Sequence, residues 1–437
     1  MTMLRVLLPL TLAAAAPLAI AAGQEPASPT IPGPDAPELA ALGSLPVGTS
    51  TIELVQPGQL DALQGADKPA KVDRHLTVRL WYPAAADGPP ITYRTPLPGE
   101  DGKDVLFTVP GVAAENVAVA RGRFPLVILA HGYSNSPEVL AWLGENLASK
   151  GYIVAVPAFR DPAISIRTDA ARAGPLSRRP LDIAFVASEA ARLAGRGEGV
   201  FAAADVSRTA LVGYSMGGYG VLTAAGAPLD PVMASRTRGV LAPYVKGAAK
   251  AAALKVPNLK AVVAIAPAGG APGLQPWTAP GVAAITAPTL YIVGSQDKAV
   301  GYDPGVRSLF EAQVHAPRYL LTFREAGHSI ALTGAPSEAR AKFWDFEWFE
   351  DAVWRKDRLL AVQAHFITAF LDRTVKGDEG KAAYMDGLVV DSNAGKWPDA
   401  PGGRYSGYSP GASEATLWKG FQPNKATGMS LEFKPAS

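Results

Sequence analysis

Six short, continuous apolar runs constrain the fold of this 437-residue chain more than any other feature. They lie at residues 126–130, 152–156, 210–212, 261–265, 290–293 and 319–323. Each is too short for a core helix and lacks the alternation of a strand with one wet face. Each therefore reads as a parallel strand buried on both sides. Between and after them the pattern becomes helical, at residues 137–149, 182–193, 216–225 and 360–374, with Ile183, Val186, Ala187 and Ala190 on one stripe of the second. Strands alternating with helices predict an α/β fold, a doubly wound and mostly parallel sheet covered on both faces. Residues 51–55, 75–82 and 105–109 come earlier and are extended. Leu76, Val78 and Leu80 share one face of the second, so these segments predict an antiparallel N-terminal edge.

Composition agrees with a large core: 48% of residues are hydrophobic and 18% charged. With 41 basic against 39 acidic residues and no run of five Lys or Arg, nothing points to nucleic acid or an anionic membrane surface. The absence of cysteine excludes disulfides, thiolate zinc sites and lipid attachment through cysteine. At the N-terminus, Arg5, an apolar stretch at 6–16 and Ala19-Ile20-Ala21 have the layout of a secretory signal over residues 1–21. Pro9, Pro17 and the short apolar length argue against a stable membrane anchor, so export to the periplasm or medium is expected. Residues 22–48, rich in Pro, Ala and Ser, read as a flexible leader. The domain proper is expected over 49–375, followed by a C-terminal extension over 376–437 that packs on the domain or trails it.

The pattern G-x-S-x-G occurs twice. Gly213-Tyr214-Ser215-Met216-Gly217 joins an apolar strand to a small-residue helix, the setting in which a sharp turn lifts a serine Oγ clear of a sheet edge. Gly407-Tyr408-Ser409-Pro410-Gly411 has no strand before it, and Pro410 lacks the N–H that an oxyanion would need, so it reads as a turn. A serine needs a base, and the base needs an orienting acid. Of five histidines, His328 lies in a loop just past the strand ending at Phe323, whereas His75, His315 and His365 sit at strand starts or inside a helix. His131 opens His131-Gly132-Tyr133 after the first buried strand. There the histidine reads as structural, and the Tyr133 N–H as half of an oxyanion hole with the N–H of Met216. The acid belongs between serine and histidine in chain order. Asp297, after the strand at 290–293, fits, with Asp303 as the alternative.

With these residues in place, the chain resembles the α/β-hydrolase superfamily from about Leu45 to Phe421. Within it, the chain is most similar to the platelet-activating-factor-acetylhydrolase-like and dienelactone-hydrolase-like serine esterases, with bacterial polyester hydrolases as cousins. Leu80-Trp81-Tyr82-Pro83, Leu147-Ala148-Ser149-Lys150-Gly151-Tyr152, Arg179-Pro180-Leu181-Asp182 and Trp418-Lys419-Gly420-Phe421 carry that resemblance. It implies Ser215, Asp297 and His328 as triad, Tyr133 and Met216 as backbone oxyanion donors, and a carboxylic ester as substrate. Two departures narrow it. No cysteine nucleophile is available for dienelactone chemistry. Ala266-Pro267-Ala268-Gly269-Gly270 also stands where cutinase-type polyester hydrolases carry a tryptophan, which argues against plastic or cutin.

Tyr214, Trp344 and Trp348 are candidate pocket residues, the last two as i,i+4 neighbours in an aromatic segment at 343–349. Residues 231–254 are a candidate cap or an enlarged surface helix pair. The expected partner is a small-molecule ester, and no cofactor or metal is called for because water is the second substrate. Peptidase or amidase activity, polyester hydrolysis and a non-catalytic binding role on the same fold stay open, as does the oligomeric state.

Overall fold

The computed structural model describes residues 28–395, 418–422 and 425–437. In chain order the strands are β1 (Val47–Asp61), β2 (Ala70–Pro83), β3 (Pro90–Pro98), β4 (Asp104–Glu115), β5 (Phe124–Ala130), β6 (Ile153–Pro157), β7 (Ala204–Tyr214), β8 (Leu259–Ile265), β9 (Thr289–Gly294), β10 (Arg318–Phe323) and β11 (Met429–Lys434). They form one sheet in the order β11-β10-β9-β8-β7-β5-β6-β2-β1-β4-β3. The six strands from β5 to β10 pair in parallel. Their apolar residues are buried because helices cover both faces of a parallel sheet. β2 joins β6 antiparallel and β1 joins β2 likewise. The expected α/β fold with an antiparallel N-terminal edge is therefore present.

The helices are α1 (Ala141–Ser149), α2 (Asp169–Arg196), α3 (Met216–Ala224), α4 (Val232–Arg236), α5 (Ala279–Ala283), α6 (Arg307–Ala312), α7 (Phe343–Phe349) and α8 (Lys356–Lys376). α2 starts well before the expected residue 182 and runs through Pro175 and Pro180. Pro180 has no N–H to offer the carbonyl of Leu176, one turn back. That carbonyl instead accepts a hydrogen bond from the Tyr219 hydroxyl of α3, 2.9 Å away. The bond ties α2 to the helix behind Ser215.

Three further segments take defined positions. Residues 28–46 pack onto the domain rather than forming part of a flexible leader. The Leu39 N–H donates to His365 Nδ1, the Glu38 N–H to the Gly420 carbonyl, and Thr30 hydrogen-bonds the buried Glu145 carboxylate. The C-terminal extension supplies β11, antiparallel to β10, so both sheet edges are antiparallel. Residues 231–254 form α4 and short 3-10 turns beside α2, and Arg236 of α4 lines a cleft shared with Tyr133 and Met216. Arg238 anchors the segment on the carbonyls of Ala62, Gly65 and Ala66 in the β1–β2 turn. Residues 1–21, the remainder of the leader to residue 27, and the Ser409 turn lie outside the described residues.

Candidate active site

Strand β7 ends at Tyr214, α3 begins at Met216, and Ser215 alone makes the turn, at φ 54° and ψ −117°. A non-glycine residue there costs on the order of 1–3 kcal/mol, which the surrounding packing must offset. The flanking glycines make the turn possible through close approach. A Cβ on Gly213 would lie 2.4 Å from the Gly217 carbonyl oxygen, and one on Gly217 only 2.0 Å from that of Ala130. The turn therefore lies directly against the end of β5, and Ser215 is left half-buried at the C-terminal edge of the sheet.

Asp297 and His328 come to Ser215 from the loops after β9 and β10. His328 Nδ1 lies 2.7 Å from Asp297 Oδ2, and its Nε2 lies 3.0 Å from Ser215 Oγ. A carboxylate can only accept, so Nδ1 carries the hydrogen and Nε2 is free to accept the Ser215 proton. Asp297 Oδ1 is occupied by the Ala299 and Val300 N–H groups at 2.9 and 3.0 Å. Burial pushes its pKa up, but the His328 bond and charge together with these two N–H donors outweigh it and hold the carboxyl below its ordinary value. Asp303, the alternative acid, is exposed and makes no hydrogen bond to His328.

Tyr214 is corrected from pocket wall to support. It is 2% exposed, its ring stacks on His328 at 5.2 Å between centroids, and its hydroxyl donates to the His328 carbonyl at 3.1 Å. Its place directly before Ser215 turns the side chain inward from β7, so it braces the imidazole and does not meet solvent.

Tyr133 follows β5 in the loop that faces Ser215. Its N–H has no acceptor among the described residues, and Met216 occupies the first helical position, where an N–H has no intrahelical partner. The loop is fixed by two residues to which sequence reasoning gave no catalytic part. Arg179 and Asp161 form a bidentate ion pair at 2.6 and 2.8 Å, with both side chains fully buried. Arg179 also donates to the Gly132 carbonyl at 2.8 Å, and Asp161 accepts the Ser134 N–H at 3.0 Å. The guanidinium rests on the Phe159 ring, 3.9 Å from its centroid. His131 is structural: burial first, then the Arg179 charge, press its pKa down to about 3. Its ring spans the Gly132 carbonyl and the Phe159 N–H. The sequence signal for the clamp was Arg179-Pro180-Leu181-Asp182, visible as a family-like segment without a role.

Two clefts open beside these groups. The first, of about 480 Å³, is lined by His328, Trp344 and Trp348 together with carboxylates. Trp344 and Trp348 stack at 6.4 Å between centroids, and Trp348 Nε1 donates to Asn135 Oδ1. The second, of about 270 Å³, reaches Tyr133 and Met216 and is walled by Ile164, Ile166, Leu176 and Leu274. Among the described residues no cluster of His, Asp and Glu has the arrangement of a metal site.

Residues 116–238 match the PET hydrolase-like family model, a stretch that carries Tyr133 and Ser215 and stops before Asp297 and His328. The chain is similar in fold to a ferulic acid esterase from Streptomyces cinnamoneus, with a TM-score of 0.52 at 22% identity over 78% of this chain and 94% of that one. No curated protein matches the chain. The chain therefore has the α/β-hydrolase fold, and the proteins it is similar to, over residues 116–238 in sequence and over most of its length in fold, are ester hydrolases.

Proposed function

We propose that the protein hydrolyses carboxylic esters through an acyl-enzyme on Ser215. The observation that carries the reading is the continuous hydrogen-bonded line from Ser215 Oγ through His328 to the buried Asp297. Ser215 Oγ bonds to the ester carbonyl carbon as its proton passes to His328 Nε2. The oxyanion is held by the N–H groups of Tyr133 and Met216. Collapse breaks the bond to the alcohol oxygen, which leaves with the proton from His328. Water then repeats the sequence, its proton passing through His328, and releases the acid and free Ser215. Asp297 holds the imidazole in the tautomer that both halves require.

Comparing p-nitrophenyl esters with the matching anilides tests the reading. Esters should turn over and anilides hardly at all, and anilide turnover of similar size would make the protein an amidase. Polyester hydrolysis is a second reading, favoured by the PET hydrolase-like match and by the Trp344–Trp348 stack beside His328. Release of soluble acid from an amorphous polyester film supports it, and an inert film rejects it. The residue 1–21 signal leads us to read the protein as exported. Mature protein recovered from the periplasm or medium should begin at Ala22; a full-length form retained in the cytosol contradicts this.

A further inference from the structure

We infer that the cleft beside Met216 is the acyl subsite and that it selects acyl groups ending in a negative charge. The preferred substrates are then esters of dicarboxylic acids with one carboxylate free. The inference rests on the ester-hydrolase reading and deepens it.

Direction comes from the proton. His328 must deliver it to the leaving oxygen, so the alcohol portion lies on the His328 side, toward Trp344 and Trp348. The carbonyl oxygen faces the N–H groups of Tyr133 and Met216. The remaining substituent on the carbonyl carbon, the acyl chain, then runs past Met216 into the cleft walled by Ile164, Ile166, Leu176 and Leu274.

Charge separates the two clefts. The acyl cleft is lined by Arg167, Arg172 and Arg236 and by no carboxylate. Arg172 is engaged by Asp169 of its own helix at 2.8 Å. Arg236 donates to the Gly273 carbonyl, and neither it nor Arg167 has a carboxylate partner among the described residues. Both are exposed at the mouth, above an apolar wall. The cleft beside His328 carries Glu325, Glu347, Glu350 and Asp351 against Lys298 alone. An ester with a neutral alcohol and an acidic acyl end therefore meets favourable potential in one orientation, the productive one. Apolar methylenes suit the wall, and a terminal carboxylate suits guanidinium groups beyond it. The chemistry is unchanged: the acyl–oxygen bond breaks, water divides between the acid and the alcohol, and the released acid carries two carboxylates.

The test compares kcat/KM for p-nitrophenyl hydrogen adipate with that for its neutral methyl ester at near-neutral pH. The acidic ester should be preferred about tenfold at low ionic strength. The preference should shrink in about 0.5 M salt, where exposed charges are screened. In Arg167→Gln/Arg236→Gln the ratio of acidic to neutral ester should fall by about as much as the preference itself. Wild-type salt dependence reads the same charge effect without relying on the variant. Turnover of both esters at equal rates, insensitive to salt, overturns the subsite and leaves the hydrolase reading standing. Turnover of neither overturns both.

Discussion

Arg179 and Asp161 pair in full burial beneath the loop that carries Tyr133, and the residues on either side of Tyr133 are each bonded to one member of the pair. The Gly132 carbonyl is fixed by the arginine and the Ser134 N–H by the aspartate. The peptide between them can therefore hardly rotate, and the Tyr133 N–H is held in direction before any substrate arrives. Such preorganisation is what makes a backbone donor effective against a developing oxyanion.

Removing one member of the clamp should therefore damage both stability and turnover. Arg179→Met leaves Asp161 charged and unpaired, a loss of about 3–5 kcal/mol for a buried pair. Arg179→Lys keeps the charge but not the two-pronged geometry, so it should fold better than Arg179→Met yet recover little kcat. In the folded fraction kcat should fall by on the order of tenfold or more while KM changes little, because the lost contact acts in the transition state. Thermal melts with steady-state kinetics on both variants check this. A KM effect with normal kcat would reassign the pair to substrate binding.

The relay predicts an order among its own variants. His328→Ala should cost kcat on the order of 10⁴-fold or more, with Asp297→Asn close behind because it disturbs the tautomer and spares the base. Asp303→Asn, exposed and unbonded to His328, should be nearly silent. Asp297 also makes a prediction about stability. Its folded pKa lies below the ordinary 3.8, so its contribution is present above that value and is lost as pH falls through the depressed folded pKa. In acid melts the gap between wild type and Asp297→Asn should be constant above about pH 3.8 and close progressively as pH falls below it. Parallel melting curves across that window would contradict the assignment.

What could be read from the sequence, and what could not, follows from where each signal comes from. β5 to β10 announce themselves because a strand covered on both faces must be apolar throughout, as at residues 126–130 and 290–293. β3 hides behind Pro90, Pro96 and Pro98, which an outermost strand tolerates because one of its edges needs no N–H donors. β11 alternates, with Met429 and Leu431 buried and Phe433 exposed, but it is short and far from the other strands in sequence. Residues 28–46 carry no periodicity because they are held by single bonds to scattered partners such as His365 and Gly420. Ser215, Asp297 and His328 were legible because each follows a strand in a fixed chain order. Asp161 and Arg179 were not, since their pairing is a tertiary event between a loop and the middle of α2.

Acyl length should be limited. The cleft assigned to the acyl chain is about 270 Å³, near the lower end of small-molecule sites. Each methylene buried there gains about 0.8 kcal/mol until the space is full. kcat/KM for p-nitrophenyl esters from acetate to dodecanoate, measured below their micellar concentrations, should peak among short chains and then fall. A steady rise to ten carbons would instead mean that the acyl chain runs along Trp344 and Trp348.

The central claim, that Ser215 is an activated nucleophile, is tested most directly by a fluorophosphonate probe followed by peptide mass spectrometry. An ordinary serine does not attack phosphorus readily, whereas one whose proton is drawn toward His328 does. A single label is expected, on Ser215, abolished by Ser215→Ala and by His328→Ala and retained in Ser409→Ala. No label on the wild-type protein, or a label on any other serine, would contradict it.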